Sequence, residues 1–191
     1  PRHHSRGPVS FMQTWEDRVM ARFLLVPQWQ GSPSSRAMSL VDGTQAIAGD
    51  LPRAACVQID VPLEAGDALG SPVLRASALA RVQVAMTDAL STEREPVIVI
   101  GGDCSVAVPA IGHVADEDLA VVWFDAHPDA NDAQTSPSGA FAGMALRAVV
   151  EDLSVTEEIS LGLPAGTVRA DRVVLVSGRA VDDHEAAWLE Q

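Results

Sequence analysis

The sequence predicts an α/β fold in which a parallel sheet carries helices on both faces, and three observations predict it. Short apolar runs recur at residues 23–26, 97–100, 119–124 and 173–176, each followed or preceded by a segment with helical spacing. Such runs read as buried strands, and strands separated by helices must run parallel. Two of the runs lead into polar motifs, Gly101-Gly102-Asp103-Cys104-Ser105 and Asp125-Ala126-His127-Pro128-Asp129-Ala130-Asn131. Open α/β sheets place ligands at the carboxyl ends of their strands, so both motifs fall at the edge where a site is expected.

The elements follow in order. Residues 1–19 combine His3, His4, Arg6, Gly7 and Pro8 without periodicity and are expected to be a disordered leader or an over-extended start, with Met20 as the alternative beginning. Residues 20–191 read as one domain. A strand is expected at 22–27, a loop at 31–35, a loosely helical segment at 36–48 and a second strand at 55–61. Leu74, Ala78, Val82, Met86 and Leu90 lie four apart and mark one face of an amphipathic helix. The strand at 97–100 follows, then a helix over 106–114 in which His113 is a packing or surface residue. The strand ending at Phe124 comes next, then a loop to Gly139, a helix over 143–151, an acidic connector, the strand 173–176 and a last helix to Glu190. No internal repeat or low-complexity tract interrupts this alternation.

At 191 residues with 47% hydrophobic content, the chain is long enough for a single core. Its 26 acidic against 13 basic residues give a formal net charge of −13, which argues against nucleic acid or an anionic membrane as partner and accords with a small cationic substrate. All 13 basic residues are Arg; without lysine there is no Schiff-base chemistry and no phosphate-loop lysine. No Gly-x-Gly-x-x-Gly pattern follows a strand, which removes the usual dinucleotide-binding reading. Cys56 and Cys104 do not form a disulfide framework, so a reducing, cytoplasmic setting is expected. No apolar stretch is long enough for a membrane helix.

The chemistry concentrates after Phe124. Side chains two apart on an extended chain point the same way, so Asp125, His127 and Asp129 can converge as carboxylate, imidazole and carboxylate. Oxygen with imidazole nitrogen suits Mn, Fe, Co or Zn better than Ca or Mg. The plainer reading is an acidic turn that caps a helix.

The order and spacing of the Gly-Gly-Asp-Cys-Ser motif, the Asp-Ala-His-Pro-Asp-Ala-Asn motif and Ser138-Gly139-Ala140-Phe141-Ala142-Gly143-Met144 resemble the arginase, agmatinase and formimidoylglutamase family, the ureohydrolases. The resemblance is specific between Gly101 and Met144 and weaker at residues 178–185. It implies a three-layer α/β/α arginase-like fold with a mostly parallel sheet. It also implies a pair of bridged Mn2+ ions that activate water to cleave a guanidinium or amidine C–N bond of a small linear substrate. By position, Asp125, His127 and Asp129 match the family's metal ligands, and Cys104 stands where the family has a ligating histidine. A thiolate there would shift preference toward Zn2+, Fe2+ or Co2+, and a buried inert thiol is the alternative. Asn131, Ser138 and Asp182 match substrate contacts, although Asn131 also reads as a turn residue, Ser138 as a loop residue and Asp182 as a helix cap.

Ala142 replaces a histidine to which the family assigns proton transfer, and a methyl group does no acid or base work. The family's further metal-binding aspartates and substrate-facing glutamate have no counterpart before Gln191, so the resemblance is to the N-terminal portion of the family fold, without its C-terminal strands. The expected exposed sheet edge invites a homo-oligomer. Two functions follow as expectations: a metal-dependent ureohydrolase, or an inactive family member that binds metal or a partner.

Overall fold

Residues 21–191 are described by the computed structural model, and the segment 1–19 read as a leader, with Met20, lies outside them. Among the described residues, β1 (Arg22–Leu25), β2 (Cys56–Gln58), β3 (Val97–Ile100), β4 (Val121–Phe124) and β5 (Val173–Val176) alternate with helices. The helices are α1 (Ser39–Ala48), α2 (Ala76–Ser91), α3 (Ala107–Val114), α4 (Ala145–Val150) and α5 (Asp183–Leu189). All ladders are parallel: Leu24 pairs with Val57 and Val99, and Trp123 with Leu175. Parallel neighbours need a crossover, and the intervening helices supply it.

The amphipathic spacing is realised in α2. Ala78, Val82, Met86 and Leu90 are all buried, whereas Leu74 lies before the helix and is exposed. Val82, Met86 and Leu90 pack on Leu24, Val26 and Ile59 beside β1 and β2, and burying each such side chain stabilises the fold by about 1.5–3 kcal/mol. The start of α2 has no side-chain cap. Instead the Arg75 guanidinium donates to the carbonyls of Gln30 and Ser32 and lies over the Trp29 ring at 5.1 Å, tying the helix to the loop after β1. The first turn of α2 contributes Ala76 and Leu79 to a second cluster with Val108 of α3, Val121 and Trp123 of β4, and Met144, Leu146 and Val149 around α4.

One expectation is borne out and one is corrected. The strands are all parallel, as expected of this α/β fold, and pair in the orders β2-β1-β3 and β4-β5. An apolar run reports that a strand is buried, not which edge it pairs with. The run at β4 was expected to be buried on both faces, yet Val121 and Trp123 are buried while Val122 is 54% and Phe124 75% exposed. Helices cover one face of the β4-β5 sheet, and among the described residues nothing covers the other. The sheets nonetheless meet at their carboxyl ends, because Cys104 follows β3, Asp125 follows β4, and their side chains touch.

Candidate metal centre

The turn after β3 needs both of its glycines. Gly101 and Gly102 have φ of +90° and +83°, and a Cβ on Gly102 would lie 2.6 Å from a methyl of Val106 and 3.1 Å from the Val26 carbonyl oxygen. The chain therefore turns tightly beside Val26 and Gln28, just past the end of β1, before Asp103. The Asp103 carboxylate then accepts the backbone N–H groups of Ser105 and Gly31, the Gln28 side-chain amide and the Ser105 hydroxyl. Burial pushes its carboxyl above the ordinary carboxylate range, against the pull of those donors. Asp103 thus anchors the loop that presents Cys104, while the carbonyl of Gly31 accepts the Ala142 N–H and joins the same anchor to the turn before α4.

Asp125 and Asp129 reach Cys104 from β4. The Asp125 N–H donates to the Val176 carbonyl, extending the β4-β5 ladder by one residue and fixing the direction of its side chain. Asp129 adopts φ +52°, in the left-handed region that Asp tolerates better than most residues, and its carbonyl accepts the Arg147 N–H. Cys104 Sγ lies 3.8 Å from Asp125 Oδ2, and one ligand atom from each of Cys104, Asp125 and Asp129 falls within 4.8 Å of the other two. Asp129 is only 5% exposed, and its Oδ2 is buried without a hydrogen-bond partner among the described residues.

The electrostatics ask for a cation. Burial pushes the Asp129 carboxyl up to about 7; the Cys104 hydrogen bond pulls the other way, and the neighbouring Asp125 adds to the rise. Burial, and then the carboxylates of Asp129, Asp125 and Asp103, push the Cys104 thiol up as well. Among the described residues no arginine pairs with Asp125 or Asp129. A divalent cation reverses these preferences by favouring the ionised form of each ligand. The donor set and the orphaned oxygen therefore fit a metal. His127 stands outside the cluster: its side chain is 64% exposed, Nδ1 lies 3.5 Å from Asp125 Oδ1, and its backbone N–H donates to that same oxygen.

The three residues matched to substrate contacts separate into a pair and a single. Asn131 is buried and donates from its side-chain amide to Asp182 Oδ2 at 2.8 Å, while its Oδ1 has no partner among the described residues. Asp182 is the N-cap of α5 and accepts the N–H groups of His184 and Glu185. The Asn131 amide and those N–H groups hold its carboxyl below the ordinary range. Ser138 is exposed, and its hydroxyl accepts the Ala140 N–H within its own loop.

The arginase family model matches residues 32–191 of this chain. The chain belongs to the arginase family. It is 36% identical over 104 residues to the arginase of Bacillus caldovelox, covering 49% of this chain and 32% of that protein. With the arginase of Bacillus subtilis strain 168 the identity is 33% over 101 residues, covering 52% and 34%. The crystal structure of Entamoeba histolytica arginase in complex with L-ornithine matches at a TM-score of 0.73 and 22% identity, covering 89% of this chain and 62% of that one. The native Bacillus caldovelox arginase structure matches at a TM-score of 0.63 and 25% identity, covering 89% and 61%. The fold is thus the arginase α/β fold, represented in part: the chain spans about a third of the length of these curated relatives and about three fifths of the solved chains.

One residue beside these side chains was not singled out by the sequence. Glu185 is buried, accepts the Ala130 N–H through Oε1 and the Asp182 N–H through Oε2, and so clamps the loop after β4 to the start of α5. Its signal was present in Asp182-Asp183-His184-Glu185, the spacing of a capping box. That spacing reveals the cap; that the same carboxylate also holds a loop 55 residues away is a property of packing.

Proposed function

We propose that this chain belongs to a metal-dependent hydrolase that cleaves a guanidinium or amidine C–N bond of a small linear substrate. Membership in the arginase family supports the reaction class. The observation that carries the reading is the convergence of Cys104, Asp125 and Asp129, together with the buried, unpartnered carboxylate oxygen that Asp129 carries. A cation held there, Mn2+ by the family's precedent and Zn2+, Fe2+ or Co2+ by the presence of sulfur, would supply Lewis acidity and a nucleophile at neutral pH. Asp103 and the Gly101-Gly102 turn position Cys104; the β4-β5 ladder positions Asp125; Arg147 and Glu185 hold the backbone around Asp129. His127 would join the site by turning its exposed ring inward. Asn131 and Asp182, already hydrogen-bonded to each other, would receive the polar end of the substrate, with Ser138 from the adjoining loop. The Entamoeba relative's ornithine complex supports an amino-acid end of that kind. The net charge of −13 favours a cationic substrate over nucleic acid or membrane, and two free cysteines accord with the cytoplasm.

A second reading, an inactive metal-binding or regulatory family member, is favoured by one specific observation. Ala142 uses its backbone N–H to hold Gly31 and offers no side chain that transfers a proton. The experiment that separates the two is turnover of arginine, agmatine and formimidoylglutamate by Mn-, Co- or Fe-loaded protein beside Asp125→Ala. Release of urea, ammonia or formamide that disappears in the variant supports the hydrolase. Metal binding without turnover of any of the three supports the second reading.

A further inference from the structure

We propose that the centre between β3 and β4 is a thiolate site selective for a thiophilic divalent cation of the Zn2+ class, with Cys104 as the ligand that sets the preference. The proposal rests on the reading of this cluster as a metal site and specifies which cation it takes. Two independent observations bear on it. Cys104 Sγ faces the carboxylates of Asp125 and Asp129, with all three ligand atoms within 4.8 Å of one another. Asp129, only 5% exposed, carries an Oδ2 that is buried without a hydrogen-bond partner among the described residues.

The spacing is compatible with such an ion. A tetrahedral zinc with a sulfur bond of about 2.3 Å and oxygen bonds of about 2.1 Å separates sulfur from oxygen by about 3.6 Å. The observed separation of Cys104 Sγ and Asp125 Oδ2 is 3.8 Å. Donor chemistry points the same way. One sulfur with two carboxylate oxygens suits Zn2+ and Co2+, whereas Mg2+, Ca2+ and Mn2+ favour oxygen-rich sets. Binding forms a metal–sulfur bond and releases the thiol proton to solvent. Asp103 does not compete for the cation, because Gly31, Ser105 and Gln28 already occupy its carboxylate. Cys56, on β2, provides an internal control.

The test is optical. Metal-stripped protein titrated with Co2+ should develop a near-ultraviolet thiolate-to-cobalt charge-transfer band that saturates at one ion per chain, persists in Cys56→Ser and is absent from Cys104→Ser. Competition should show the preference for Zn2+ over Mn2+ falling at least about tenfold in Cys104→Ser, beyond the bias toward Zn2+ that any such site has. Far-ultraviolet circular dichroism checks that the variants fold, and the band in the unaltered protein depends on no variant. If Co2+ and Zn2+ bind, Asp125→Ala abolishes binding, and the band is missing, thiolate ligation is overturned while the metal site stands. If no cation binds, or if Asp125→Ala makes no difference, the metal reading falls with it.

Discussion

Asp129 shows how far one residue can be read from its neighbours in the chain. Its place two residues after His127 and four after Asp125 marks it as a ligand candidate, but the backbone after β4 leaves the extended conformation, and Asp129 itself has φ +52°. Strict alternation therefore ceases to govern where the side chains point. Asp125 and Asp129 meet Cys104, while the His127 ring turns outward. Burying a carboxylate oxygen without a partner costs free energy, which protonation or a bound cation would reduce. Asp129→Asn should accordingly raise the stability of the metal-free protein by about 1–3 kcal/mol at a pH where the carboxyl is ionised. The same variant should lose metal binding. Urea unfolding in the presence of chelator, paired with a metal titration, measures both effects; a destabilised metal-free variant would show that the carboxylate has a structural partner.

At the scale of the element, the turns and caps carry more of the site than the helices and strands do. Gly102→Ala places a methyl against Val106 and the Val26 carbonyl at a positive φ, so it should destabilise the protein by more than about 1 kcal/mol and weaken metal binding through Cys104. The α5 cap makes a second prediction. Asp182→Ala should cost about 0.5–2 kcal/mol, whereas Asp182→Asn keeps an acceptor for the helix N–H groups and should cost less. The two also differ in acid. The Asn131 amide and the α5 N–H groups hold the Asp182 carboxyl below its ordinary value, so the native state binds that proton more weakly than the unfolded chain does. Its contribution is present above the unfolded-state pKa and is lost as the pH falls through the folded one. Asp182→Asn should therefore flatten this part of the acid limb in urea unfolding measured across pH. An unchanged slope would mean that Asp182 contributes nothing to the acid response.

For the whole molecule, the decisive feature is a sheet system covered unevenly. Phe141 is fully buried among the α2–α4 residues, and Phe124 is 75% exposed on the bare face of β4. Phe141→Ala should cost about 3–5 kcal/mol, and Phe124→Ala should cost well under about 1 kcal/mol while raising the concentration at which the protein aggregates. Chemical unfolding and light scattering distinguish the two. Equal destabilisation would mean that the outer face is covered in solution. Among the described residues no helix is long and apolar enough to cross a membrane.

The order of strands and helices was legible in the chain because apolar runs and four-residue spacing report local burial directly: residues 97–100 and 173–176 became β3 and β5, and Ala78, Val82, Met86 and Leu90 became the inner face of α2. The Gly101-Gly102 turn and the Asp125-to-Asp129 motif were legible for a related reason, since a tight turn and a set of metal donors each demand particular residue types close together. What the chain could not disclose is everything that depends on separations through space. The order in which the strands pair, the outward face of β4, the contact between Cys104 and Asp125, and the hold of Glu185 on Ala130 join residues at least 21 positions apart or concern which side of a strand a helix covers. Local pattern specifies that a side chain is buried; only packing in three dimensions decides against what, because burial is driven by area removed from water and carries no address.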